Sequence, residues 1–119
     1  MIDYGLVSIP TLTITTGILY SMDREDIFEW DPNKDASNCM KHGISFEDAK
    51  DAFCDTYAVD LPDKRFDYGE DRYNLIGMVE GRLLHVSYTM RKDVIRIISA
   101  KGAEPHEQRK YYRGQMGKI

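Results

Sequence analysis

Residues 72–101 read RYNLIGMVEGRLLHVSYTMRKDVIRIISAK. Three runs rich in β-branched and aromatic residues are separated by Glu80-Gly81 and Lys92-Asp93, and each break fits a two-residue hairpin loop. Gly81 takes the positive φ that such a loop wants at no steric cost, whereas Lys92-Asp93 is a weaker turn signal. Two-residue loops set the register. Val79 falls opposite Arg82, so Arg72 faces Thr89; Arg91 falls opposite Val94, so Thr89 faces Arg96. Directly paired residues share a face, and successive residues alternate. One face then carries Tyr73, Leu75, Gly77, Leu84, Val86, Tyr88, Met90, Ile95 and Ile97, and wants a cover of helices. The other carries Arg72, Asn74, His85, Ser87, Thr89, Arg91 and Arg96, with Ile76 and Ile98 among them. A row of Arg72, Thr89 and Arg96 crosses this second face, and a slip of one residue in either loop would scatter it.

The flanks supply the cover. Ile27 to Trp30 alternates like a short strand. Asp31-Pro32 is an N-cap followed by proline in the first turn, predicting a helix from Pro32 to about Lys41 with Ala36, Cys39 and Met40 on its apolar face. Gly43 is its left-handed cap. Ser45 opens a second helix whose stripe is Phe46, Ala49, Ala52 and Phe53, a core pattern. Thr56 to Leu61 reads as a strand and Pro62 to Asp71 as an exposed polar loop. After the three strands, Gly102 breaks the chain and Glu104-Pro105 starts a last helix bearing Arg109, Lys110, Tyr111, Tyr112 and Arg113. Strand, two helices, antiparallel strands and a final helix make a single α+β domain. The domain is placed at residues 25–113, with 114–119 as a fraying tail. Residues 1–24 read as an extension, disordered or upstream of a true start such as Met22. Leu6 to Tyr20 is apolar, but Pro10 and Gly17 interrupt it, and it is too short to span a bilayer. It lacks the basic region and cleavage site of a signal peptide. No membrane association is expected.

A length of 119 residues suits one core. The net charge of −4 argues against a generic nucleic-acid binder, but it hides an asymmetry. Up to Asp71 there are sixteen acidic residues against six basic ones, and from Arg72 onward four against ten. A polyanion-binding surface on one side and a different partner elsewhere fit that division. Cys39 and Cys54 form no CxxC pair, as expected of reduced thiols in the cytoplasm, and with His42 they match no zinc spacing. No cofactor or metal is implied.

A sheet face with arginines, a histidine and hydroxyls suits an anionic, polyhydroxylated ligand, and RNA is the natural one. Arginines clamp a phosphate and stabilise the charge of a pentacovalent transition state. RNA is cleaved without metal when its own 2′-OH attacks the neighbouring phosphate. The protein then supplies a base, an acid and positive charge between them. His42, His85, Glu107 and Tyr112 are the available proton carriers, and exposed tyrosines can stack bases. The blander readings are an Arg72 paired with Asp67 or Glu70 at the sheet edge and a hydrogen-bonded structural His85. An unrelated enzyme acting on a phosphorylated metabolite would share the arginines but needs a closed pocket.

An extended signature runs through the chain. It comprises Phe28-Glu29-Trp30-Asp31, Lys34, Asn38, Lys41-His42-Gly43, Phe46-Glu47-Asp48-Ala49 and Phe53. It continues with Arg72, Ile76-Gly77, Gly81-Arg82-Leu83-Leu84, Thr89, Arg91 and Arg96-Ile97-Ile98-Ser99-Ala100, and closes with Glu107, Arg109 and Tyr112. Over Ile27 to Tyr112 it resembles the BrnT family of type II toxins. Where that family continues Ser-Ala with Arg-Lys, this chain has Lys101-Gly102. The resemblance implies a RelE/ParE-like α+β fold: an antiparallel sheet with helices packed on one face, a substrate groove on the other and a short C-terminal helix. It implies an endoribonuclease, a RelE-like mRNA interferase that inhibits translation and arrests growth. A BrnA-type antitoxin neutralises such a toxin and carries the contact to operator DNA; the substrate is mRNA, free or on the ribosome. Arg72 and Arg96, assisted by Arg91, are then the phosphate and transition-state ligands. His42 or His85 is the proton carrier, with Tyr112 or Glu107 secondary, and Lys41, Thr89, Lys101, Arg109 and Lys110 contact RNA. The competing expectation is a catalytically inactive toxin-like module that binds the antitoxin and acts as co-repressor.

Overall fold

The structure is a computed structural model and describes residues 27–65 and 67–116. Expectations for residues 1–24, including Met22 as a start, and for the last three residues of the tail lie outside them. The elements run β1 (Phe28–Glu29), α1 (Pro32–His42), α2 (Phe46–Ala49) passing into a 3₁₀ turn (Lys50–Cys54), β2 (Val59–Asp63), β3 (Arg72–Val79), β4 (Arg82–Arg91), β5 (Val94–Gly102) and α3 (Pro105–Met116). The five strands form one sheet in the order β1-β5-β4-β3-β2. The sheet is mixed, not purely antiparallel, because β1 joins β5 in parallel while the other pairings are antiparallel. This is an α+β domain. No helix among the described residues is long and apolar enough to cross a membrane.

Both hairpin loops are two residues long, as Val79↔Arg82 and Arg91↔Val94 require. Glu80 and Gly81 both take positive φ (50° and 80°), and Lys92 takes 58° without a glycine's freedom. Thr89 faces Arg96 as expected. Beyond Tyr88, however, the register shifts: Tyr88 faces Ile97 but Ser87 faces Ser99. The extra residue, Ile98, is a β-bulge, and it reverses the faces of the residues after it. Strict alternation from Ile97 would turn Lys101 toward the core; instead Ala100 goes to the core and Lys101 sits opposite His85 on the other face.

The first face packs as its sequence demands. Leu75, Leu84, Val86, Tyr88, Ile95, Ile97 and Ala100 are buried under Phe46, Ala49 and Ala52. A Cβ on Gly77 would come within 2.6 Å of the Ala52 carbonyl oxygen, so the sheet and the 3₁₀ turn meet there at a distance only glycine allows. Three expectations need correction. The C-terminal helix is not part of the covering layer; α3 lies on the opposite face, where Tyr111 packs with Ile76 and Leu83. That face carries enough apolar surface, with Val59 and Met78 beside it, to require a lid of its own. Second, the apolar stripe assigned to α1 is not buried: Ala36 and Cys39 are exposed, and Met40 is 89% exposed. The helix docks through Asn38 instead. Its amide nitrogen donates to the Ile44 and Ala100 carbonyls (2.9 and 2.8 Å), and its oxygen accepts from the Ala100 amide (3.0 Å). β1 ends at Glu29, so Asn38 serves as the neighbouring strand for the free edge of β5. Third, β2 begins at Val59 and not Thr56, because Asp55 closes a turn by accepting from the Tyr57 and Ala58 amides. Pro62 lies within β2, which an edge strand tolerates.

Candidate functional site

The face opposite the main core is divided by register into rows. Ile76, His85 and Lys101 form one; Asn74, Ser87 and Ser99 the next; then Arg72, Thr89 and Arg96. The first and last are each about 7 Å from the middle row, one pleat repeat along the strands. α3 roofs the near end and leaves the arginine end open.

His85 is 8% exposed and held through its Nδ1. Its Nδ1 lies 2.6 Å from Glu107 Oε2. An ionised carboxylate only accepts, so Nδ1 carries the proton and donates. Nε2 then points along β4 to the middle row, 3.4 Å from Ser87 Oγ. The Ser87 hydroxyl donates to Asn74 Oδ1 (2.9 Å), so its proton is committed elsewhere. In its neutral form His85 presents an Nε2 lone pair toward the polar floor of the groove, which is what a general base needs.

Glu107 does two tasks. Oε1 accepts from the Glu104 amide at 2.8 Å, closing the first turn of α3, and Oε2 orients His85. Burial pushes its carboxyl up, but the Glu104 amide, the charge and hydrogen bond of His85 and the charge of His106 together outweigh it and hold it below the ordinary 4.5. A depressed carboxylate contributes stability that is present above its unfolded value and is lost as pH falls through the folded value. A Glu107→Gln variant is expected to lose less of its melting temperature than the parent on acidification from about pH 5 to about pH 3. Thermal melts across that range check it; parallel curves would contradict it.

The arginines do not stand idle. Arg72 pairs with Glu70 (3.1 Å) and lies 4.0 Å over the Tyr68 ring; Arg91 approaches the same Glu70 (3.7 Å); Arg96 pairs with Glu29 (3.1 Å). The buried Thr89 hydroxyl donates to the Asp71 carbonyl (2.6 Å), so Thr89 braces the row. Lys101, opposite His85, has its ammonium 3.9 Å from Glu104.

The structure thus brings together His85, Glu107, Lys101, Arg72, Thr89 and Arg96, with Arg91 at the margin. Lys41 and His42 stand apart, exposed at the end of α1, which docks on β5 in the layer that covers the main core. Arg109, Lys110 and Tyr112 lie on exposed sides of α3. Sequence reading missed Asn74, Ser87 and Ser99 as the floor and Glu107 as the partner of His85. The alternation of β3 and β4 already placed the first two on this face. The Glu107 contact joins residues 22 apart through tertiary packing and left no local signal. Among the described residues, no group of three or more His, Cys, Asp or Glu could hold a metal ion.

A family model described as "Ribonuclease toxin, BrnT, of type II toxin-antitoxin system" matches residues 30–107. No curated protein matches the chain.

Proposed function

The chain belongs to the BrnT family of ribonuclease toxins of type II toxin-antitoxin systems, and from that premise we propose that it is a metal-independent endoribonuclease acting in the groove between His85 and the arginine row. The observation that carries the reading is the direction of His85 Nε2, aimed by Glu107 at the Ser87 row, which Arg72 and Arg96 flank from the other side.

A phosphodiester lying over Asn74, Ser87 and Ser99 has the imidazole at one end and guanidinium groups at the other. Neutral His85 takes the proton of the 2′-OH through Nε2 while Nδ1–H stays on Glu107. The 2′-oxygen attacks phosphorus, the bond to the 5′-oxygen breaks, and the products are a 2′,3′-cyclic phosphate and a 5′-hydroxyl. Lys101, directly across from His85, gives the leaving oxygen its proton. Arg72 and Arg96 hold the phosphate and the extra negative charge of the pentacovalent state, with Arg91 assisting. The substrate is mRNA, and its loss stops translation. A BrnA-type antitoxin covers this face or its rim, and operator DNA is reached only through it. The open, arginine-bearing sheet face also supports a RelE-like reading of the architecture.

The ion pairs of Arg72, Arg91 and Arg96 favour the alternative of an inactive antitoxin-binding module, because carboxylates already occupy the guanidinium groups. Their strength decides against it. Partly exposed pairs of this kind are worth about 0–1 kcal/mol, which a bound phosphate readily overcomes. The test is cleavage of free RNA in chelator by the purified, antitoxin-free chain, beside His85→Gln. The parent is expected to cleave and the variant to be slower by about a hundredfold or more, the typical weight of a general base. Equal rates would remove His85 from the chemistry.

A further inference from the structure

We infer that the outer side of α3 around Tyr112 is a second RNA-binding subsite, where a single-stranded base stacks on the Tyr112 ring and the flanking phosphates meet Arg82 on one side and Arg109 and Arg113 on the other. The inference rests on the ribonuclease reading and extends its substrate beyond the scissile phosphate. Tyr112 stands between two clefts. One is bounded by Met78, Arg82, Leu83, Gly102 and Gln108, the other by Pro105, Gln108, Arg109 and Arg113. Neither is lined by a carboxylate.

The distribution of ion pairs gives this patch its character. Of the arginines among the described residues, Arg65, Arg72, Arg91 and Arg96 are each paired with a carboxylate. The three that make no ion pair to another described residue are Arg82, Arg109 and Arg113, and all three line the clefts beside Tyr112. Unneutralised guanidinium groups around an aromatic ring form a surface suited to single-stranded nucleic acid, where stacking tolerates any base and cations track the backbone. The ring is also held in place. It is 47% exposed, yet it makes a T-shaped contact with Tyr111 (centroids 5.1 Å apart, planes at 88°). Tyr111 is buried and donates its hydroxyl to Asp55 (2.6 Å). A stacking platform fixed beforehand loses little entropy on binding.

The patch lies next along the strands from the roofed end of the groove. Leu83 lies two residues before His85 on the same strand, and Ala103 two after Lys101, so the cleft is about 7 Å from the His85 row. A base seated there belongs to a nucleotide close to the scissile phosphate. Arg82 Nη2 lies 3.3 Å from where a Cβ on Gly102 would stand, so the glycine leaves room for the guanidinium beside the groove.

The probe is a short labelled single-stranded 2′-O-methyl RNA, which has no free 2′-OH and is not consumed. Its binding by the full chain is followed by fluorescence anisotropy at several salt concentrations. Tyr112→Ala is expected to weaken binding by about five- to hundredfold, the range for losing one base–aromatic stack, and Tyr112→Phe to leave it near the parent. Arg109→Gln with Arg113→Gln is expected to weaken binding and flatten its salt dependence. Parent-like binding by Tyr112→Ala overturns the inference while leaving the groove chemistry standing. No binding by the parent, with no cleavage of unmodified RNA, overturns both. If Tyr112→Ala keeps the RNA probe but loses a polyglutamate peptide that the parent binds, the patch is a protein-docking surface and the inference fails.

Discussion

An Arg72→Ala, Arg96→Ala double variant is expected to cleave RNA about ten-thousandfold more slowly than the parent, since removing one preorganised charge-stabilising donor commonly costs about 10²–10³. The two residues lie on different strands, with Thr89 between them, so each is placed to approach a phosphate lying between them from its own side. Their ion pairs to Glu70 and Glu29 are partly exposed, and losing both should change stability by no more than about 1–2 kcal/mol. The variant is therefore expected to fold, and a melt beside the activity assay separates the two effects. Arg72→Lys should not restore the rate, because an ammonium offers a point charge where a planar fork is required. A folded double variant that cleaves at the parent rate would show that the row has no part in the chemistry.

Asn38→Leu carries the largest expected effect on stability. Asn38 is 6% exposed and makes three hydrogen bonds, to the Ala100 amide, the Ala100 carbonyl and the Ile44 carbonyl. Leucine fills similar space but leaves those three backbone groups unpaired in the interior, at about 1–3 kcal/mol each. A loss of about 3 kcal/mol or more lowers the melting temperature of a domain this size by at least about 12 °C. Asn38→Asp can still accept from the Ala100 amide but cannot donate to two carbonyls, so it should fall short of the parent as well. A melting temperature within a few degrees of the parent for Asn38→Leu would mean that α1 is held by something else.

The two variants mark what was legible in the sequence. The arginine row was readable because hairpin loops of fixed length convert position into register, and period-two alternation assigns the faces. It survived because the bulge at Ile98 falls beyond it; Lys101, on the far side of the bulge, reached the groove against strict alternation. Nothing local announced that bulge. The small Ala100, which faces the core at 0% exposure, was the available hint. α1 was legible in extent and caps: Asp31 accepts from the Asn33 amide, and Gly43 adopts φ 70°. Its docking was not legible, because an apolar stripe is the usual signal and here a single buried amide replaces it. The proposed catalytic histidine was narrowed from two candidates to one by the layers, and its partner Glu107 by the seating of α3 on the second face. Both depend on tertiary contacts that spacing does not encode.

The central claim is that this face directs the RNA's own 2′-OH onto the neighbouring phosphate. It is tested most directly by the chemistry of the new ends when the purified chain cleaves RNA in chelator. Ends bearing 2′,3′-cyclic phosphate and 5′-hydroxyl are predicted. Ends bearing 3′-hydroxyl and 5′-phosphate would mean that water, not the 2′-OH, is the nucleophile, and would contradict the account.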